Sequence, residues 1–499
     1  MNISDHHNSD LPAPNRWAIL ALLGVAQLMV VLDATIVNIA LPSAQRALHF
    51  STDSRQWIVT AYALSFGGLL LLGGKLGDLF GRKWTLIGGL TGFAVASAVG
   101  GMAQSFAMLV AARAFQGAFG AMLAPSALGL LTVTFQGSAD RPKAFGVFSA
   151  IAAGGASLGL LLGGVLTQAI SWRWSLYVNL AIAVPTALVA LRLLRNERRP
   201  AREPLDLRGV ALGSAGLFAI VFGFSNAETS SWSDPVTIVA LASSAVLLSA
   251  FIAVERRVEH PLLPLHIVWD RARGGAYASI ALAGSAVFAV FLFLTYYMQQ
   301  NLGYSPLKTG LGFLPMTIMI VLTATTVQTR VLPRTGAKPL VMAGMTLGLI
   351  AMVSFTRLTP GGAYATHVLP GLLLTGVGMG CIFAPSFSTA TLGVKSTDAG
   401  IASAMVNTSQ QVGGSVGTAL LSTIFASAAA SYASTHVQAA SLGNAASIHG
   451  YATAFDWGAA IFGLGLLVAL IILPSDGAAR ARTAQAEAHA DLAVSLESA

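Results

Sequence analysis

Apolar runs of about twenty residues recur along the chain, each closed by a short polar or Gly/Pro-containing break, and fourteen are long enough to cross a bilayer as helices. Placed on those runs, the predicted helices cover 17–41, 56–73, 84–103, 105–133, 144–169, 175–194, 208–225, 236–254, 274–298, 307–328, 339–356, 367–390, 400–426 and 454–474. An even number of spans returns both termini to the same side. The pattern predicts an all-α integral membrane protein.

Composition supports that reading: 55% of the 499 residues are hydrophobic and only 10% are charged, which excludes a string of water-soluble domains. The net charge of +8 and a pI near 9.8 would suggest a nucleic-acid partner in a soluble chain. Here the position of the charges gives another cause. With the N-terminus inside, 22 of the 28 Lys and Arg residues fall in cytoplasmic loops and tails, five (Arg46, Arg55, Arg173, Lys308, Arg357) fall opposite, and Arg113 lies within a span. That asymmetry is the positive-inside signal of an inner-membrane protein with both termini cytoplasmic, and no nucleic-acid partner is expected. The lone Cys381 excludes an intramolecular disulfide and a Cys-based metal cage. Residues 1–16 read as a polar tail without a signal peptide, His6 and His7 belonging to that tail rather than to a metal site, and 475–499 read as a second polar tail.

The chain carries an internal repeat at a lag of 260 residues: Gly120-Ala-Met-Leu-Ala-Pro125-Ser126 is matched by Gly380-Cys-Ile-Phe-Ala-Pro385-Ser386. A worn second match pairs Gly81-Arg82-Lys83 with Gly336-Ala337-Lys338. Residues 17–194 and 274–474 therefore read as two six-helix bundles, and 195–273 as a linker holding two inserted helices. ATP is not expected to drive the chain directly, because Gly74-Lys75 has Leu69 and Leu76 where a phosphate-binding loop needs Gly and Ser or Thr. No nucleophile–base constellation appears, so no enzyme activity is expected, and neither is a cofactor or metal.

An ionised group inside the membrane costs ~2.5–3.5 kcal/mol, so such residues mark candidate functional sites. Asp33 lies about 24 Å from the inner end of span one and Arg113 about 12 Å from the outer end of span four, at ~1.5 Å per residue. They share a depth to within about one turn. On adjacent helices they make either a proton-sensitive switch or a static ion pair that fixes packing. Gln27, Tyr62, Gln116, the Tyr296–Tyr297 pair and the Asn407, Gln410, Gln411 patch are candidates for a substrate cavity, with interhelical hydrogen bonding as the alternative for each. Gly155, Gly159, Gly163 and Gly164 in span five, with Gly117, Gly120, Gly413, Gly414 and Gly417 elsewhere, are expected to allow close helix packing.

Several stretches taken in order resemble one family over about residues 15–475: the major facilitator superfamily, and within it the fourteen-span drug:proton antiporters of the EmrB/QacA type. Leu32-Asp33-Ala-Thr35-Ile36-Val37-Asn38-Ile-Ala40-Leu41-Pro42 resembles the span-one motif, and Gly74-Lys75-Leu-Gly77-Asp78-Leu-Phe-Gly81-Arg82-Lys83 the loop between spans two and three. Arg113-Ala-Phe-Gln116-Gly117 resembles the span-four motif, and Trp172-Arg173-Trp174 with Tyr177 and Asn179 the start of span six. The likeness continues through Glu255-Arg256-Arg257, Pro261-Leu-Leu-Pro264-Leu265, Leu302-Gly303-Tyr304-Ser305-Pro306 and Phe313-Leu314-Pro315.

The resemblance implies two six-helix bundles rocking about a central site, with two extra helices between them. It makes Asp33 a proton-coupling carboxylate with Arg113 as its partner, and Gly74, Gly77, Asp78, Gly81, Arg82 and Lys83 a cytoplasmic gate. The sequence departs from the antiporters at Leu160, where they carry a helix-bending Pro after the Gly matched by Gly159, and at Ala181, where Pro is common. Together these readings predict proton-coupled efflux of amphipathic small molecules, driven by the proton gradient, with the lipid bilayer, substrates and protons as partners. The sequence does not reveal a periplasmic adaptor. The alternatives are an exporter dedicated to one metabolite, antibiotic or siderophore, and, more remotely, a non-transporting membrane sensor or scaffold.

Overall fold

A computed structural model describes residues 13–50, 56–136, 138, 140–195, 205–395, 398–435 and 442–475. Most of both predicted tails, including His6 and His7, and part of the linker lie outside the described residues. The N-terminal bundle comprises α1 (Ala13–Leu48), α2 (Gln56–Phe80), α3 (Arg82–Gly101), α4 (Phe106–Thr134), α5 (Arg141–Ala169) and α6 (Trp174–Leu193). The inserted pair is α7 (Leu207–Thr229) and α8 (Pro235–Glu255), followed by the single-turn α9 (Leu265–Trp269). The C-terminal bundle comprises α10 (Arg271–Tyr296), α11 (Pro306–Thr326), the short α12 (Leu332–Thr335), α13 (Ala337–Phe355), α14 (Leu369–Ala390), α15 (Ala399–Thr435) and α16 (Leu442–Ile472).

Thirteen of these helices are each long and apolar enough to span a bilayer, and α5 makes the fourteenth as a span bent by 45° between Arg141–Ala156 and Leu161–Ala169. The bend follows the Gly154-Gly155 pair and has no proline at it, which suits a stretch with few side chains to hold the helix straight. Local chemistry sets the helix starts. Ser105, Asp206, Asp234, Asp270 and Ser305 each accept hydrogen bonds from the free backbone N–H groups of the helices that follow them. Between α2 and α3 the chain reverses at Gly81, whose φ of 107° suits a residue without a side chain. Short π-helical turns at Tyr297–Asn301, Val327–Val331 and Tyr364–Val368 flank α10, α11 and α14.

Several helices outrun the apolar stretches that predict them. α1 covers 13–48 rather than 17–41, α15 runs on to Thr435, and α16 begins at Leu442 rather than at 454. An apolar window measures the hydrocarbon slab, whereas a helix continues into the polar interface for as long as its backbone hydrogen bonds do.

The two bundles meet along two seams. On one, α5 packs along α11: Gly146 lies against Gln328 and Ala324, Gly154 against Thr317, and Gly310 against Leu161. On the other, α2 meets α15 at one end, where Gly74 lies against Gly400 and Ala404. Towards the opposite end, α7 packs against both α2 and α15. There the Thr60 and Ser225 hydroxyls lie 3.1 Å apart, joining α2 to α7, and Trp232 Nε1 donates to Thr423 Oγ1 of α15 at 2.9 Å. Of the inserted pair, α7 thus occupies a seam between the bundles, while α8 packs on α7.

Candidate functional site

Asp33 and Arg113, predicted only to share a depth, are in contact. Arg113 Nη1 donates to Asp33 Oδ2 at 2.6 Å, and both side chains are essentially without solvent exposure. The carboxylate's other oxygen, Oδ1, accepts from Asn179 Nδ2 of α6 at 2.6 Å and from Gln116 Nε2 of α4 at 3.1 Å. Ser97 of α3 completes the cluster, its Oγ accepting from Gln116 at 2.5 Å and from Asn179 at 3.3 Å. Arg113 also donates to Gln116 Oε1 at 3.0 Å and to the Ile58 carbonyl at 3.4 Å, and its guanidinium carbon sits 4.3 Å from the centre of the Tyr62 ring. Five helices of the N-terminal bundle, α1 to α4 and α6, therefore converge on one buried ion pair.

Small residues permit this convergence. A side chain on Gly117 would run into the Tyr62 carbonyl of α2, and one on Gly159 into Thr35 of α1, two residues from Asp33. Gly155 lies against Val31 and Leu28, and Gly163 against the Ile36 backbone, so this glycine row of α5 beds α1 on both sides of the carboxylate. Gly164 does not share that role: no atom comes within 4 Å of the position its side chain would take, because it points off the α1-facing stripe.

A second cluster joins the bundles at the end rich in Lys and Arg. Arg82 Nη2 donates to Asp78 Oδ1 at 2.7 Å, and Asp78 accepts backbone N–H bonds from Gly400 and Ile401, 3.1 Å each, at the start of α15. A carboxylate at a helix N-terminus meets unpaired N–H groups and the positive end of the helix dipole. Gly74 and Gly400 bring the two backbones within reach, Gly77 lies beside Ser126, and Gly81 turns the chain so that Arg82 comes back to Asp78. Lys83, expected in the same gate, goes elsewhere. Its Nζ donates to the Leu191 and Leu194 carbonyls at 2.9 and 2.6 Å, tying α3 to the C-terminus of α6 within one bundle, where a cation meets free carbonyl groups. Arg141 is a cross-bundle contact that the sequence did not single out: from the start of α5 it donates to Thr391 Oγ1 at 3.1 Å, just beyond α14.

The predicted cavity residues do not form one wall. Tyr62 and Gln116 belong to the Asp33 cluster, since each projects into the bundle interior beside Arg113. Asn407 donates back to Ser403 of its own helix at 2.9 Å. Gln411 packs on Gly67 of α2, whereas the Gln410 backbone faces Gly284 of α10, so adjacent residues of α15 serve opposite neighbours. Gln27 is buried in α1. Of the tyrosine pair, Tyr297 is buried and donates to the Thr359 carbonyl at 2.9 Å, while Tyr296 is 42% exposed.

This arrangement, two repeated six-helix bundles with a charged cluster inside the first, agrees with a family comparison: residues 23–418 match the model of the Major Facilitator Superfamily. The chain belongs to that superfamily. Among its relatives, the puromycin resistance protein pur8 of Streptomyces alboniger is 45% identical over 467 residues, covering 93% of this chain and 92% of that protein. The cephamycin export protein CmcT of Amycolatopsis lactamdurans is 38% identical over 408 residues, covering 81% and 84% respectively. In fold, the chain is similar to the crystal structure of the human organic anion transporter MFSD10 (TETRAN), with a TM-score of 0.61 over 92% of this chain and all of that one, at 17% identity. The chain is thus a multi-pass membrane protein with the architecture of a superfamily transporter.

Proposed function

We propose that this protein exports amphipathic small molecules across the bacterial cell membrane in exchange for protons. The observation that carries the reading is the Asp33–Arg113 pair, a fully buried carboxylate held by three donors from two helices, α4 and α6. Binding a proton cancels its charge and weakens its hold on Arg113, changing how α1 and α4 are joined. The basic end of the molecule is cytoplasmic, by the positive-inside rule. The Asp78 carboxylate, bound to the start of α15, keeps that end closed, and the bundles must part there for substrate to enter from the cytoplasm. One proton moving inward supplies ~2.3 kcal/mol per 100 mV of membrane potential.

A second reading, an exporter dedicated to one antibiotic, draws support from the relatives, two of which carry puromycin and cephamycin in their names. One experiment addresses both. Inside-out vesicles are given a pre-formed proton gradient, then ethidium or puromycin, with wild-type protein beside Asp33→Asn. Proton release by the wild type with both compounds, absent in the variant, supports broad antiport. A response to puromycin alone favours the dedicated exporter. Proton release that is equal in Asp33→Asn overturns the role of Asp33.

A further inference from the structure

A carboxyl group that changes protonation state in a fully buried site needs partners for both states. Ionised, it only accepts hydrogen bonds; protonated, it must also donate one. The structure provides for the ionised state, with Arg113, Gln116 and Asn179 all donating to Asp33. An acceptor for the protonated state is harder to find nearby. Gln116 Oε1 already accepts from Arg113, and Ser97 Oγ already accepts from two amides. Two buried acceptor atoms near the pair have no hydrogen-bond partner among the described residues, Asn179 Oδ1 and the Tyr62 hydroxyl, and of the two residues only Asn179 already bonds the carboxylate.

We propose that Asn179 serves both protonation states of Asp33, its side-chain amide turning over when the carboxyl binds a proton. Asn179 is then a positioning residue in the coupling step. A half-turn about the Cβ–Cγ bond puts Oδ1 where Nδ2 stands now, 2.6 Å from Asp33 Oδ1, to accept the new O–H. Ser97 reverses with it. Its hydroxyl, 3.3 Å from the same amide end, accepts from Nδ2 before the turn and donates to Oδ1 after it. One end of the amide is unpaired in either state, so the turn exchanges that cost rather than adding to it. No covalent bond changes except the O–H formed on Asp33, and Arg113 stays charged, still held by Gln116 Oε1 and the Ile58 carbonyl. The titratable groups around the carboxyl are Arg113 from α4 and Tyr62 from α2; α3 and α6 present Ser97 and Asn179, and α5 presents Gly155, Gly159 and Gly163.

This inference rests on proton uptake by Asp33, and infrared difference spectroscopy of the full-length protein separates the two ideas. Protein carrying side-chain-labelled asparagine is titrated from neutral to acid pH beside Asp33→Asn and Asn179→Ser. The expected result is a protonated carboxyl band missing from Asp33→Asn. It is accompanied, at the same pH midpoint, by an asparagine carbonyl band that moves to lower wavenumber and is missing from Asn179→Ser. The Ser variant, whose hydroxyl both donates and accepts, is expected to keep the carboxyl band and more than half of the exchange rate. A carboxyl band that titrates with no asparagine shift overturns the role of Asn179 and leaves Asp33 as the proton site. Absence of any Asp33 band overturns proton coupling itself. The wild-type signals stand alone if a variant fails to fold.

Discussion

Arg113 and Asp33 meet at 2.6 Å across the α1–α4 contact, each among the most deeply buried side chains in the molecule, with every other polar contact of the pair made inside the N-terminal bundle. A buried pair of this kind is far more sensitive to losing one partner than to losing both. Arg113→Met, which leaves an unpaired carboxylate, is expected to destabilise the purified protein by roughly 3–5 kcal/mol, and the Asp33→Asn, Arg113→Met double variant to recover much of that loss. Thermal unfolding in detergent measures both. Equal stability of the single and double variants would show the pair to be uncoupled.

The Asp78 contact makes a prediction about conformation. Asp78→Asn removes the charge that binds Arg82 and the start of α15. Charge-assisted hydrogen bonds are each worth about 1.5–3 kcal/mol, so the closed-to-open ratio at the basic end should fall at least about tenfold. Spin labels at Asp140 and Lys395, introduced after Cys381→Ala, report the separation of the bundles there. An unchanged distance distribution would remove Asp78 from the latch.

Lys83 supplies the contrast. Its donors cap the Leu191 and Leu194 carbonyls within one bundle, so Lys83→Met is expected to cost about 0.3–1 kcal/mol of stability. The spin-label distances should stay as in the wild type. A shift like that of Asp78→Asn would place Lys83 in the latch after all.

Two glycines five residues apart on α5 should behave in opposite ways. Gly159→Ala drives a methyl group into Thr35 and is expected to cost about 1–3 kcal/mol and to lower exchange activity. Gly164→Ala has open space and should gain up to about 1 kcal/mol from helix propensity. Parallel melting curves and transport assays decide the matter, and equal losses in both variants would refute the packing argument.

Asp33 and Arg113 were legible in the sequence because charge is rare in apolar runs, and helix geometry converts residue number into depth. Their neighbours were less so. Ser97 carries no depth signal, since a serine in a membrane helix usually bonds its own backbone, and Asn179 stood out only through the likeness at the start of α6. Tyr62 and Gln116 were noticed but assigned to a cavity, because helical spacing says which residues share a face and not which helix that face meets. Lys83 looked like its basic neighbour Arg82, yet the turn at Gly81 sends the two side chains to different helices. The α5 bend shows the reverse limit: Leu160 stands where the antiporters carry a helix-bending Pro, yet the glycine stretch bends the helix without one.

The position of α7 against both α2 and α15 changes what the connection between the bundles does. In two bodies joined by a slack cord, the cord's length sets how far they swing. Here the tether is itself a wall, hydrogen-bonded to one body through Thr60 and to the other through Thr423, and any swing must be shared with it. A compound leaving between α2 and α15 would find that side fenced from the lipid.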